Sequence, residues 1–487
     1  MFKNYLKITI RNIIKHRLFS FINLAGLAVG MACCLLIFLY VRGELSYDHF
    51  HVNVDRIYAL VNDVHFPTGV TKTAYTSAFP GPTMTKAFPE IEAMTRLARA
   101  RSSFVFIRQG QHFEERNLLF ADSTVFTLFS FSFISGKPQT ALTTPYSLVL
   151  TKSAARKYFG DANPIGEALV ENNGQAYTVT GVLADLPTNS HLQFDGLISM
   201  ATAVMESMFY FQDRLDLRYA TYFLLHKGVK ETELEAKFPA FVENLMGDFQ
   251  RDNNFSYAFS LVPLRDLHLH SEHRGLGKHD SRANIIIFSI IALFILAVAC
   301  INFMNLATAR SALRAREVGV RKAIGARRMQ VAWQFLAEST LLSLLALGIA
   351  VYLVWLFLPV FNSLAGKSLE IRTVINWFHI SGMLGIGLLV GVLAGSYPAM
   401  VLSGFQPVAV LKGSFFSSTQ GVGLRETLVV LQFAIAVILI VGAMVVYGQR
   451  RFMQQQELGF HSEKMLVIDF KGDKTVREQI EAIKSEF

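Results

Sequence analysis

Three stretches of this 487-residue chain carry residue types whose spacing could do chemistry. FNSLAGKS, residues 361–368, ends in the Gly-Lys-Ser of a phosphate-cradling loop. Such a loop needs GxxxxGK[ST], with glycine where Phe361 stands, so the triplet is not a nucleotide site. HLHSEH places His268, His270 and Glu272 at alternate positions, which on a strand share one face and suit metal ligation, with His273 beside them. No second ligand-bearing stretch accompanies it, and it reads more simply as a solvated approach to a membrane span. The third stretch, ARSALRAREVGVRKAIGARRMQ at 309–330, sets seven cations (Arg310, Arg314, Arg316, Arg321, Lys322, Arg327, Arg328) against one acid, Glu317. Nowhere do a nucleophile, a base and an orienting group cluster, so the chain is not read as an enzyme, and neither a metal nor a cofactor is expected.

The elements that must position this charge are apolar. Hydrophobic residues make up 52% of the chain and charged ones 17%, the mean hydropathy is +0.35, and the apolar residues gather in long runs. Five runs lack Asp, Glu, Lys and Arg: Leu18 to Val41, Ala283 to Ala309, Ser339 to Gly366, Thr373 to Leu411 and Thr427 to Gln449. Each can hold the helix of about 20 residues that crosses a bilayer. Spans are therefore placed at 18–41, 283–309, 339–361, 380–402 and 427–449, in an α-helical integral membrane protein. The first is too long for the core of a signal peptide and lacks a small-x-small cleavage site, which makes it an uncleaved anchor.

Cation bias gives an orientation. Lys and Arg crowd the N-terminus and the 310–330 loop, so both are expected in the cytoplasm, with 43–282 outside; Arg450 and Arg451 depart from the pattern. The net charge of +9 is thereby accounted for without nucleic acid, since the cations flank spans and no stacking aromatics interleave them. Cys33, Cys34 and Cys300 fall inside spans and read as small apolar helix residues, which leaves 43–282 without a disulfide. Glu338 and His379 sit at span edges and the interiors carry no charge. That pattern favours spans that relay motion over a hydrophilic conduit.

Outside the spans, Lys3, Lys7, Arg11 and Lys15 recur every four residues, with Phe2, Leu6, Ile10, Ile13 and Ile14 on other faces. Residues 1–17 then form an amphipathic helix on the inner leaflet, or simply a charged tail. In 43–282, ALVENNGQAYTVTGVL predicts a hairpin about Asn172-Asn173-Gly174. TKSAARKYFGDANPIG predicts a short helix capped by Thr151 or Ser153 and ended by Gly160. Phe50-His51 returns as Phe460-His461 after a second charged lead and span, so 403–426 reads as a cytoplasmic linker and 450–487 as the start of a second, incomplete extracytoplasmic domain.

In the charged loop, Glu317 and Arg321 form an i,i+4 pair, and Arg310, Arg314, Glu317 and Arg321 track one face of a helix that Gly325 can end. The residues alone leave open a loop that only sets topology. NFMNLATARSALRAREVGVRKAIGARRMQVAWQFLAEST, however, resembles the signature of FtsX-like, MacB-type ABC transporter permeases. AGSYPAMVLSGFQPVAVLKG and SFINLAGLAVG are similar to other parts of that family's membrane region, and LTKSAARKYFGDANPIGEAL to its periplasmic core domain. The resemblance implies a large α+β extracytoplasmic domain at 43–282 carried by the helices of a multi-pass protein of the bacterial inner membrane. It implies a permease subunit that passes the ATP-driven motion of a separate cytoplasmic ABC ATPase to that domain, for export or efflux. A homodimer, or a pseudo-dimer with a second permease copy, and an extracytoplasmic partner belong to the same expectation. Compact members have four spans and long Bacteroidetes members two fused copies, so a fifth span suits a truncated long member. By motif match, Glu317, Gly319, Arg321, Lys322, Gly325 and Ala326 contact the ATPase. Arg310, Arg327 and Arg328 are left, with Lys3, Lys7, Arg11 and Lys15, to lipid headgroups. A second class stays open: a non-transporting scaffold or signalling receptor that regulates an extracytoplasmic enzyme.

Overall fold

The computed structural model describes residues 17–100, 103–206, 214, 216–269, 272–273, 275–277, 280–309, 318–369, 377–404 and 422–456. The expected inner-leaflet helix and second-domain start lie outside this set, except that Arg17 opens one helix and 450–455 extend another. The chain divides into two compact units, one of membrane helices and one of mixed α and β structure formed by 44–282.

Five helices among the described residues are long and apolar enough to cross a bilayer: α1 (Arg17–Leu45), α2 (Arg282–Ala309), α3 (Arg328–Ala365), α4 (Trp377–Gly404) and α5 (Val422–Gln455). The chain is a membrane protein. Small residues let the helices approach. A Cβ on Gly30 of α1 would stand 2.6 Å from the Ala299 Cβ of α2, and one on Gly26 would stand 3.4 Å from Asn302. Tyr40 meets Phe288 edge-on at 5.2 Å, so the pair runs antiparallel. Helices α3 and α4 are tighter still. Gly387, Gly391 and Gly395, four residues apart, face Leu347, Thr340 and Ser339 in turn, and the Ser343 hydroxyl donates to the Gly387 carbonyl at 2.7 Å. This is the small-residue packing that membrane helices use where the hydrophobic effect gives no drive. Leu27, Met31, Leu35, Phe303, Ala346, Val390 and Ala394 fill the space between the four. Helix α5 stands largely apart, its spanning window only 6% buried, with the Asn305 amide donating to Gln432 at 3.4 Å.

The α+β unit is built on one 13-stranded sheet: β1 (Ile57–Phe66), β2 (Gly69–Thr73), β3 (Ile91–Arg99), β4 (Phe104–Arg108), β5 (Gln111–Glu115), β6 (Leu118–Ala121), β7 (Phe133–Gly136), β8 (Ser147–Thr151), β9 (Ala168–Glu171), β10 (Ala176–Leu183), β11 (Gly196–Ser199), β12 (Tyr219–Leu225) and β13 (Ser256–Pro263). Its order is β13-β1-β12-β3-β6-β11-β8-β10-β9-β4-β5, with β2 on β1 and β7 on β10. Only β8/β10 and β6/β11 are parallel. First and last strands are neighbours, paired antiparallel from Tyr58↔Pro263 to His65↔Ser256. Alternation along β1 sends Ile57, Ala59 and Val61 to one core and Tyr58 and Leu60 to another, where Leu234 and Phe238 cover them. Local signals hold as the sequence indicates. Thr151 is the cap of the helix Lys152–Phe159, its hydroxyl accepting from the Ala154 N–H at 3.3 Å, and Gly160 ends it at φ +60°. Strands β9 and β10 flank Gly174, which has φ +90°.

Candidate functional site

The described half of the cation-rich loop, 318–327, is held from beneath. Residues 318–323 are helical. The Ile324 N–H donates to the Val320 carbonyl and the Ala326 N–H to that of Arg321, and Gly325 takes φ +101° between them. Only glycine adopts that angle without strain, so the turn is set by residue type. Helix α3 starts at once, the Gln330 side chain accepting from the Arg327 N–H at 2.9 Å. Val318 is buried with Val331 and Phe335 of α3 and Ala399 and Leu402 of α4. Apolar burial thus clamps the segment to two helices of its own unit.

The cations complete that clamp. Arg321 donates to the Gln334 side chain at 2.7 Å, and Lys322 to the Ser403 carbonyl at 2.6 Å. Ser403 lies in the last turn of α4, where unpaired carbonyls and the negative end of the helix dipole favour a cation. Arg328 reaches the Ser403 hydroxyl at 3.4 Å. Burial, and then the charge of Arg328, push Lys322 below the ordinary lysine value.

Of the residues singled out from the sequence, Gly319 is buried, Arg321, Lys322 and Ala326 are half-buried, and Gly325, Arg327 and Arg328 are exposed. Glu317, Arg310, Lys3, Lys7, Arg11 and Lys15 lie outside the described residues. Apolar side chains stand exposed beside these cations. Val320 is 49% exposed, Ile324 82%, Met329 67% and Trp333 63%. The sequence held a signal for these: two apolar pairs at i,i+4, 320/324 and 329/333, inside a run dominated by charge.

The other chemical candidates among the described residues resolve into structural roles; His270 lies outside the described residues. Gly366 is the left-handed C-cap of α3, φ +62°, and the Lys367 N–H donates to the Asn362 carbonyl, so the Gly-Lys-Ser triplet is a helix end. His268 contacts Glu44 at 2.6 Å, His273 contacts Asp63 at 2.6 Å and Glu272 contacts Lys72 at 2.5 Å. Three separate partners pull these side chains apart, and among the described residues no three His, Cys, Asp or Glu side chains converge as a metal site. Helix α3 begins ten residues before Glu338, whose 7%-exposed side chain lines a recess of about 50 Å³ with Phe19, Phe303, Phe335, Ser339 and Gly395.

Two family descriptions match this chain: a MacB-like periplasmic core domain over residues 20–241 and an FtsX-like permease C-terminal domain over 289–407. The chain is 28% identical over 280 residues to the macrolide export ATP-binding/permease protein MacB of Bdellovibrio bacteriovorus, covering 54% of this chain and 38% of that protein. Two Bacillus subtilis proteins described as uncharacterized ABC transporter permeases are also similar. YknZ is 25% identical, over 54% of this chain and 61% of its own length. YvrN is 24% identical, over 84% of this chain and 99% of its own.

Proposed function

Given that this chain belongs to the FtsX-like, MacB-type family of ABC transporter permeases, we propose that it converts ATP-driven movement of a separate cytoplasmic ATPase into movement of its extracytoplasmic α+β domain, in the service of export. The N-terminus and residues 310–330 face the cytoplasm and 44–282 the opposite side, as the cation bias directs. ATP is hydrolysed by the partner, of the kind that the MacB name joins to its permease.

The observation that supports this reading is the division of labour within 318–330. Val318, Arg321 and Lys322 fasten the segment to α3 and α4, while Val320 and Ile324 face outward from a rigid turn. A push on Ile324 then reaches α3 and α4 through fixed contacts instead of being absorbed by a slack loop. The ATPase meets Val320, Ile324 and Gly325. Met329 and Trp333, at the start of α3, lie at the headgroup level where tryptophan is enriched, with Arg327 and Arg328 toward lipid phosphates. A second permease copy covers the exposed face of α5, giving a dimer or pseudo-dimer.

The test is pull-down of the ATPase, with permease-stimulated ATP turnover, on correctly inserted variants. Ile324→Asp and Val320→Asp should each weaken association by about tenfold or more, as for a charge placed in a desolvated apolar contact. Met205→Asp, at a 65%-exposed apolar site of the α+β domain, should leave association unchanged. Equal association of all three variants with the ATPase would remove this reading.

A further inference from the structure

A set of buried ionisable and aromatic side chains in the α+β unit takes no part in the coupling segment. It lies where the chain enters and leaves that unit. Glu44, in the last turn of α1, and Tyr47 belong to the entering strand of chain, and His268 to the departing one. The Glu44 and His268 side chains are 2% and 1% exposed, with Oε2 and Nε2 2.6 Å apart. The Tyr47 ring stacks flat on the His268 imidazole, 3.4 Å between centroids and 2° from parallel. His268 also ties down the chain on its way to α2. Its carbonyl accepts the Asp280 N–H at 2.8 Å, and Asp266, two residues before it, accepts from Arg282 at 2.8 Å.

The entering segment has further anchors, all within the same unit. The Asp48 N–H donates to the Asn189 carbonyl, and the Asp48 carboxylate accepts from the His191 N–H at 3.1 Å and the Ser190 hydroxyl at 3.3 Å. The His51 Nδ1 accepts from the Ser130 N–H at 3.0 Å. Ser46 accepts from the Asn189 amide through its carbonyl and its hydroxyl. Beyond these contacts the two segments run into β1 and β13, which pair along their length.

We propose that Glu44, Tyr47 and His268 form a clasp that makes the entering and departing segments move as one, so that a displacement arriving on either is delivered to β1 and β13 together. The inference rests on the coupling function proposed above and assigns these three as positioning residues for it. Stability alone does not explain the arrangement, since well-packed apolar side chains of similar volume would hold the two segments at least as well as a buried polar pair. What the pair adds is direction. A hydrogen-bonding contact at 2.6 Å fixes the carboxylate against one ring nitrogen, and the stacked tyrosine fixes the plane of that ring.

Hydrogen exchange on the full chain in lipid nanodiscs tests the clasp without an ATPase. Glu44→Ala and His268→Ala should each lower protection of the Asp280 amide by about tenfold or more, with the double variant no worse than His268→Ala, because removing the imidazole already removes the contact that Glu44→Ala deletes. Glu44→Gln, which can still hydrogen-bond the imidazole, should retain most of the protection, and amides of β3 and β12 should be unchanged. Should the alanine variants fail to fold, shown by exchange in β3 and β12, Tyr47→Leu decides, since it removes the stack while keeping both Glu44 and His268 and should lower protection at Asp280 with β3 and β12 unchanged. Unchanged protection at Asp280 in the folded variants overturns the clasp. With the ATPase added, released variants should still bind it but stimulate its turnover less; full stimulation despite loss of protection overturns the positioning role. A wild-type chain that recruits no ATPase would count against the function proposed above, while the exchange result still decides the clasp.

Discussion

His51 shows how one buried residue sets a pH response. Its Nδ1 accepts a backbone hydrogen bond from Ser130, so a ring proton, if there is only one, belongs on Nε2, which lies 3.9 Å from Asp48. Burial pushes the imidazole down from 6.5 to about 4, against the pull of Asp48 and with a further push from His191. Burial would raise the Asp48 carboxyl, but the charge and hydrogen bonds of His191 outweigh it and hold it below the usual carboxylate value. Both groups bind protons more weakly folded than unfolded. The His51 contribution to stability is therefore whole above pH 6.5 and lost as pH falls through about 4, a window worth at most about 3 kcal/mol; that of Asp48 is lost only below its ordinary 3.8. His51→Asn keeps an acceptor for Ser130 and cannot titrate. Denaturant midpoints of the α+β domain should fall between pH 6.5 and 4 in the wild type and stay nearly level in the variant; equal slopes would show that another group governs the acid response. Nothing in the sequence around Phe50-His51 reveals this role, because Ser130 and His191 are brought in by the fold.

Helix α4 illustrates what is decided at the level of an element. A Cβ on Gly391 would come within 2.5 Å of the Thr340 backbone, where nothing can rotate away, whereas Gly385 of the same helix has open space around it. Gly391→Ala should therefore separate α3 from α4 and cut the yield of monodisperse protein in detergent severalfold, with Gly385→Ala near wild type; equal yields would mean that the pair is not packed this closely. The Gly387-Gly391-Gly395 spacing is plain in the sequence, but its partner face on α3 is not. Short elements were more legible. The cap at Thr151 and the turn at Gly174 depend on neighbours within a few residues, which sequence displays directly. The start of α3 was less so. A span counted from the first uncharged residue begins at Ser339, yet the helix takes in Arg328 to Glu338 because the side packed on Val318 and α4 is apolar there. In the same way cations dominate the loop by number, while Val320 and Ile324, set among them, are exposed together with Arg327 and Arg328.

At the scale of the molecule, hydropathy was enough to give a membrane protein with five spanning helices among the described residues and one large domain between the first two, because both features are read along the chain. The order of the 13-stranded sheet was not legible, since β1 and β13 pair residues as far apart in sequence as Tyr58 and Pro263 and no local pattern records that. If the orientation proposed from cation bias is right, impermeant thiol reagents should label a cysteine at Val52, 85% exposed in the α+β domain, in intact cells, but not one at Ile324. If the turn at 320–325 is where an ATPase pushes, the two must touch there in the cell. A photo-crosslinking amino acid at Ile324 in living cells reads that contact, with the same group at Val52 as the opposite-side reference. Position 324 should yield an adduct with an ABC ATPase subunit and position 52 none. An ATPase adduct from position 52, or none from 324 in a chain that is correctly inserted, would contradict the coupling role.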